Sequence, residues 1–461
     1  MAELGAIEVS EELAGRLPSW PEIVAQLREN GAGRTVDVLR DADRCGRPLV
    51  QPRCGVGAHQ EMLTLLRELE ASGPAILSVT IDSYTRLGQF DVAARVLAED
   101  PHRLNGYPLV AHGWQRGRQL VEAVGVPLEI RHGSPDGRQL FATALAAGFT
   151  SYEGGGIGYN LPYCKDVPLA DSLRAWQQID TTCGMLATEG VLVDRELFGT
   201  LTAVLVPPSV SIAVTMLEAM AAAQAGVRCL SIAYPQGGEI HQDVAALRAI
   251  RALARRYLVP QIEVFPVLHQ FMGAFPDDPA LASALILYGG LLARLGGATK
   301  VISKTEQEAH GLPDGATNGR GIRTTAVGAS GMFDFVKLDE DRIAEEQSWI
   351  EREVGEQVEP LLAGGHLTTE IRTGFRTGRL DIPFSASRHA HSRIIPRRDR
   401  SGAIRYADSG NLPFSAASRR RNAALLADAD DSPAPGRRET GEIAAMVRDI
   451  AHFSGRSAAC P

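Results

Sequence analysis

The sequence predicts a (β/α)8 barrel. From Pro48 to about residue 330, short apolar runs alternate with amphipathic helical patterns. That alternation means a parallel sheet joined by helical crossovers. Eight or nine such units are present, which suits a closed barrel better than an open sheet.

The order is as follows. Leu49–Arg53 reads as a strand and Gln60–Glu70 as a helix; Ile76–Ile81 and Phe90–Ala98 repeat the pair. Tyr107–Ala111 and Leu128–Arg131 read as strands, with helices over Gln115–Val124 and Gly137–Ala147. Phe149–Tyr152 precedes a long helix within Leu169–Glu189. Leu201–Val206, Cys229–Ala233 and Ile262–Leu268 read as strands, each followed by a helical pattern, and Lys300–Lys304 as a last short strand. These are nine candidates for eight places, so one is surplus or accessory. Residues 1–47 read as a polar, weakly helical N-terminal arm, 48–330 as the barrel and 331–461 as a C-terminal extension packing on it. Within the extension, Asp334–Pro360 is a charged helical region, the segment from Leu367 to His389 looks irregular, and 418–435 reads as a mobile connection rich in arginine, alanine and aspartate.

Composition narrows the function classes. A net charge of −8 over 461 residues gives no nucleic-acid footprint. No run approaches the ~20 apolar residues of a membrane span. The start, MAELGAIEVSEEL, lacks the apolar stretch of a signal peptide. Six scattered cysteines show no metal-ligand spacing and suit free thiols in a reducing cytoplasm. Only Lys165, Lys300, Lys304 and Lys337 are lysines among 47 basic residues, so a lysine here is a candidate for a role that a compact ammonium fills and guanidinium does not.

Barrel enzymes carry their chemistry at the C-terminal ends of strands. Those ends hold Arg53, Arg86, Arg131 with His132, and Glu153. Three converging guanidiniums suit a substrate with two carboxylates, because the guanidinium fork binds a carboxylate bidentately. Glu153 opens FTSYEGGGIGYNLPYCK, where Gly154, Gly155 and Gly156 leave the backbone bare and Tyr159, Pro162 and Tyr163 follow. The stretch suits a ligand site; it suits equally a glycine-rich turn whose tyrosines pack on the surface.

QPRCGVG, TIDSYTR, RHGSPDGR, FTSYEGGGIGYNLPY, LVPPSVS, HQFMGAFPDD, ATKVISKTEQEA, LDIPFSAS and RYADSGNLPF run in order from about Leu49 to Phe414. Together they resemble the large (epsilon) subunit family of adenosylcobalamin-dependent glutamate mutase, also called methylaspartate mutase. The resemblance implies a barrel that binds substrate and interconverts L-glutamate and (2S,3S)-3-methylaspartate by a radical rearrangement. It implies adenosylcobalamin as cofactor, carried by a separate small (sigma) subunit whose DxHxxG histidine ligates cobalt. No DxHxxG occurs in this chain, so a partner is expected, in an assembly with two copies of each subunit. By motif match, Arg53, Arg86, Arg131, His132, Tyr159 and Tyr163 correspond to substrate-binding residues. Glu153 corresponds to the carboxylate that meets the substrate ammonium. Gly55, Asn105, Pro162, Phe275, Lys304, Glu308 and Leu312 correspond to the cobalamin side, with Lys304 and Glu308 near the adenosyl ribose.

The sequence departs from the family pattern in places. Glu129 stands where glutamine is expected, and its charge would oppose a dicarboxylate. YPQGGE replaces YGQCGN, and TEQEA replaces TPHEA. A mutase acting on another amino acid, or a barrel that binds without catalysing, are the other readings.

Overall fold

The computed structural model describes residues 2–29, 34–200, 205–311, 313–430 and 442–454. Eight parallel strands form one sheet: β1 Leu49–Gln51, β2 Leu77–Thr80, β3 Leu128–Arg131, β4 Ser151–Glu153, β5 Asp194–Leu197, β6 Cys229–Pro235, β7 Glu263–His269 and β8 Lys300–Ile302. Their order is β1-β8-β7-β6-β5-β4-β3-β2. Between β1 and β2 the backbone N–H of Thr80 donates to Cys54 O at 2.7 Å and that of Ala75 to Val50 O at 3.3 Å. These two bonds bring the first and last members together, so the sheet is an all but closed (β/α)8 barrel, as the alternation predicts.

Two strand assignments change. Tyr107 makes only a single parallel bridge to Ile81, and the chain then turns into the short helix Leu109–His112. Pro108 has no N–H with which to extend a ladder. The fifth strand is Asp194–Leu197 rather than Leu201–Val206. Residues 201–204 lie outside the described set, and Leu205–Val206 lead into the helix Pro208–Gln224. The sequence Asp-Arg-Glu-Leu offers no apolar run, yet all four residues are buried. Polar side chains inside the barrel and an arginine behind it hide this strand from a reading of hydrophobic periodicity.

The N-terminal segment covers the amino-terminal end of the barrel. Its helix Arg34–Cys45 places Val36 and Leu39 in one cluster with Ile76, Cys229 and Phe265, all at or beside the strand starts. Beyond the barrel, the helix Glu340–Leu362 packs along Ile240–Tyr257 and Pro208–Gln224. The segment expected to be irregular forms the helix Leu367–Thr377, which buries Leu367, Ile371 and Phe375 at a spacing of four. Of the stretch read as mobile, residues 418–430 belong to the helix Ala416–Asp430, and Asn422 there donates to Glu353 Oε1 at 2.8 Å. Residues 431–435 lie outside the described set. Among the described residues no helix is long and apolar enough to cross a membrane.

The helices Pro279–Leu295 and Gly315–Gly328 meet through bare backbone. A Cβ on Gly290 would run into Thr325 O, one on Gly328 into Leu287 O, and one on Gly321 into the carbonyl of Lys304. This packing sets the wall behind the end of β8. Gly290→Ala should therefore cost about 1–3 kcal/mol of stability by overpacking. Chemical denaturation of the variant beside the wild type measures it, and an unchanged midpoint would show that the helix pair can separate freely.

Candidate active site

The barrel interior is polar where barrels ordinarily stack branched apolar side chains. Ser151, Glu153, Asp194, Glu196 and Lys300 are all buried in it. The ammonium of Lys300 lies 2.7 Å from Glu129 Oε2, 2.6 Å from Glu196 Oε2 and 3.9 Å from Asp194 Oδ2. Glu129 also accepts from Gln51 Nε2 at 2.7 Å and from Arg131 at 2.9 Å. The charge of Glu129 is thus matched by two cations inside the barrel. The expectation that it would oppose a bound carboxylate does not hold, because its oxygens are committed below the site. Burial pushes the Asp194 carboxyl up to about 6, against the pull of Lys300.

One layer higher, Arg131 is gripped from three sides. Its guanidinium reaches Glu129, Glu196 at 3.3 Å and Glu153, the last as a close ion pair. Glu196 is fixed in turn by His269, whose Nε2 is 2.9 Å away. Burial pulls the His269 imidazole down to about 4. Glu153, at the end of β4, also accepts from the Tyr159 hydroxyl. Burial pushes its carboxyl upward; Arg131 opposes this, and the charges of Glu196 and Glu129 add to it. Arg131, Glu153 and Tyr159 therefore form one connected group, from two strand ends and the loop after β4.

Arg53 and Arg86 complete the rim. Arg86 donates from Nε to Ile81 O at 2.6 Å, which points its side chain across the strand ends. Burial chiefly, and then the like charge of Arg53, pull Arg86 below its ordinary range. Among the described residues neither Arg53 nor Arg86 meets a carboxylate within ion-pair distance. Tyr163 is half-exposed, and the charges of Glu153, Arg53, Arg131 and Arg86 all bear on it. His132 Nδ1 accepts from Ser134 N at 3.1 Å. A neutral imidazole that accepts at Nδ1 carries its proton on Nε2. That Nε2 is buried, and the Glu153 backbone is a polar group that bears on the ring. Burial, then the charges of Arg195, Arg86 and Arg131, hold this imidazole well below its ordinary range, so it is neutral.

The three glycines serve the protein rather than a ligand. Gly154 has φ +125°, and a Cβ there would run into Trp176. A Cβ on Gly155 would occupy the place of the Glu218 carboxylate. Glu218, buried on the helix Pro208–Gln224, accepts from Ile157 N at 2.6 Å and Gly158 N at 3.0 Å, and so shapes the turn that delivers Tyr159. It is invisible in sequence because it lies 61 residues from the backbone it holds.

The residues expected on the cobalamin side divide into two groups. Lys304, after β8, donates to Glu308 Oε2 at 2.6 Å, and its field is shared with Arg53 and Arg131. This ion pair thus borders the arginine cluster and offers both a donor and an acceptor for hydroxyl groups. Asn105 is exposed and accepts from Ser83 N at 2.9 Å through Oδ1, leaving its amide N–H groups free to donate. Both positions fit a polar cofactor. Gly55 packs on Thr80, where a Cβ would run into the carbonyl oxygen. Phe275 packs with Phe271, Ala282, Leu285 and Ile286. Pro162 is buried in the turn after Leu161. These three shape the rim through backbone and packing. Leu312 lies outside the described residues.

Residues 31–437 match the family model described as methylaspartate mutase E chain. The chain belongs to this family. It is 42% identical over 392 residues to the glutamate mutase epsilon subunit of Desulfitobacterium hafniense, covering 82% of this chain and 80% of that one. It is likewise 42% identical over 382 residues to the epsilon subunit of Haloarcula marismortui, with 81% and 78% covered. The protein of that name in Escherichia coli O157:H7 is 38% identical over 391 residues, with 82% and 80% covered. The family match spans every strand of the barrel and thus both parts of the site.

Glu218 gives a pH test. Burial pushes its carboxyl up to about 7, against the two N–H bonds from Gly158 and Ile157. The folded chain then keeps a proton that the unfolded chain releases above its ordinary value of 4.5. Between about pH 4.5 and 7 this group makes the fold less stable as pH rises. Glu218→Gln removes the titration and keeps an acceptor, so melting temperature should fall less from pH 5 to 8 than in wild type. Parallel falls would show that Glu218 is not held in this environment.

Proposed function

We propose that this chain is the substrate-binding, catalytic subunit of an adenosylcobalamin-dependent glutamate mutase, interconverting L-glutamate and (2S,3S)-3-methylaspartate. The observation that carries the reading is the pair Arg53 and Arg86, cations without a carboxylate partner among the described residues, beside the ion pair Arg131–Glu153. An amino acid with two carboxylates and one ammonium supplies the complementary charges. Membership of the methylaspartate mutase E chain family points to the same substrate.

Adenosylcobalamin, when bound, supplies the radical that initiates the rearrangement. The chain itself binds, orients and excludes water. Guanidinium forks fix both carboxylates, so the pieces of a fragmenting substrate stay in register. Glu153 accepts from the ammonium, whose charge favours the ionised carboxylate. His132, neutral with its proton on Nε2, is a further donor to a substrate oxygen. Lys304 and Glu308 would hold the ribose of the cofactor, with Asn105 nearby on the rim. Cobalt ligation falls to a separate small subunit, since the chain has no DxHxxG. The working assembly contains two copies of this chain, and its free thiols at Cys45, Cys54, Cys164, Cys183 and Cys229 suit the cytoplasm.

The test combines the purified chain with a cobalamin-binding small subunit, adenosylcobalamin and L-glutamate, with near analogues in parallel. Methylaspartate should appear only in the complete mixture. Formation by this chain alone, or no formation from glutamate in the complete mixture, would overturn the reading.

Two substitutions sharpen it. Arg131→Lys replaces a bidentate fork by a point charge and should cost roughly 1.5–3 kcal/mol in kcat/KM. Glu153→Gln keeps shape and removes charge. Its kcat should drop about tenfold or more, roughly 1.4 kcal/mol of transition-state stabilisation, with a smaller change in KM. A raised KM with normal kcat would make Glu153 an anchor only.

A further inference from the structure

The missed strand β5 carries an arginine whose guanidinium is spent on the backbone on either side of Glu153 and on Asp180. Asp194 and Glu196 face the barrel interior, so Arg195 between them faces the helix layer. It is fully buried. Its NH1 donates to Tyr152 O at 2.6 Å and its NH2 to Gly154 O at 2.8 Å. Its Nε donates to Asp180 Oδ1 at 2.8 Å, on the helix Leu169–Thr188. The two carbonyls belong to the residues on either side of Glu153. The chain leaves the sheet there: Glu153 is the last residue of β4, and Gly154 turns away at φ +125°. Past Glu153 the ladder adds one bond, from Gly154 N to Glu196 O at 2.7 Å, and the fork of Arg195 grips the carbonyls on either side of that peptide.

The same guanidinium lies 4.8 Å from the centre of the Trp176 ring. That indole packs on Gly154 and stacks with the imidazole of His132, centroids 5.7 Å apart. Arg195 thus touches, through backbone or one ring, the supports of two residues of the proposed site.

We infer that Arg195 is a positioning residue, which fixes the Glu153 peptide from behind the barrel and so sets where its carboxylate stands against substrate. The inference rests on the proposed role of Glu153. Three features make arginine necessary. The two carbonyls need donors on one rigid plane, Asp180 needs a third donor from the same group, and a lysine ammonium cannot span all three from one point. Asp180 keeps the cation from being buried unpaired, which would be strongly unfavourable.

The experiment is Arg195→Lys in the full complex of this chain, cobalamin-binding subunit and adenosylcobalamin. Expected is a drop in kcat of about tenfold or more, with KM for L-glutamate changed by less than about threefold. Asp180→Glu, which keeps the countercharge and displaces its carboxylate, should show the same split at about a third of the size or less. It also serves if Arg195→Lys fails to fold. Hydrogen exchange of the chain alone reads the same point without the reaction: amides of Gly154–Gly158 should exchange about tenfold faster in Arg195→Lys, while those of β7 stay as in wild type. Wild-type kcat together with unchanged exchange in that segment would overturn the inference. A complex in which even wild type is inactive on glutamate would overturn the functional reading and leave the exchange result to decide the role of Arg195.

Discussion

The ammonium of Lys300 is the interaction on which the site depends. It is fully buried, and an isolated buried cation is costly enough that the surroundings must supply anions. Glu129 and Glu196 do so at 2.7 and 2.6 Å. Each of these carboxylates then has oxygen left for Arg131, and Arg131 in turn holds Glu153. The network therefore runs upward through the barrel from one lysine to the carboxylate at the mouth. A lysine suits the lower position because three carboxylates approach it, Glu129 from β3 and Asp194 and Glu196 from β5, and a compact charge with three donors serves them without a preferred plane. Arginine suits the upper position, where planar contacts to several carboxylates must be made at once.

Much of this arrangement is legible in the sequence, and what is not has identifiable causes. The barrel follows from the alternation of β and α patterns, since helices and most strands carry their apolar faces openly. The convergence of Arg53, Arg86, Arg131 and Glu153 follows from strand-end positions alone. β5 escapes because its inward side chains are acids held by Lys300 and its outward ones are Arg195 and the single apolar Leu197, so hydrophobic periodicity is absent where burial is complete. Lys300 escapes for a related reason. The scarcity of lysine marks it and Lys304 alike, but only three-dimensional contact shows which of them neutralises the interior. Gly154–Gly156 mislead in a different way: bare backbone signals close approach, and the approaching groups are Trp176, Glu218 and Leu173 in turn. Glu129 shows the same limit for charge, because a carboxylate read one residue at a time carries no information about the cation that meets it.

The free site holds carboxylates in excess of cations at its centre and cations at its rim. Arg131 is surrounded by Glu129, Glu153 and Glu196, while Arg53 and Arg86 repel each other. A ligand carrying only anions would relieve the rim and leave the centre untouched. A zwitterion with a second carboxylate does both. In the proposed function its ammonium would take over Glu153, its neighbouring carboxylate would take the face of Arg131 that Glu153 gives up, and its distal carboxylate would meet the rim cations. The Arg131–Glu153 pair would thereby be replaced by others of the same kind, and a new one would form at Arg53 and Arg86. That exchange would account for an internal ion pair in a free site that is proposed to take an acidic amino acid. The pair keeps a buried arginine and a buried glutamate from standing uncompensated, at a cost that burial would otherwise impose on both. It also explains why the carboxylate must be held from behind. Once Glu153 releases Arg131, its remaining direct side-chain support is the Tyr159 hydroxyl, and the peptide that carries it has to keep its place without help from the side chain.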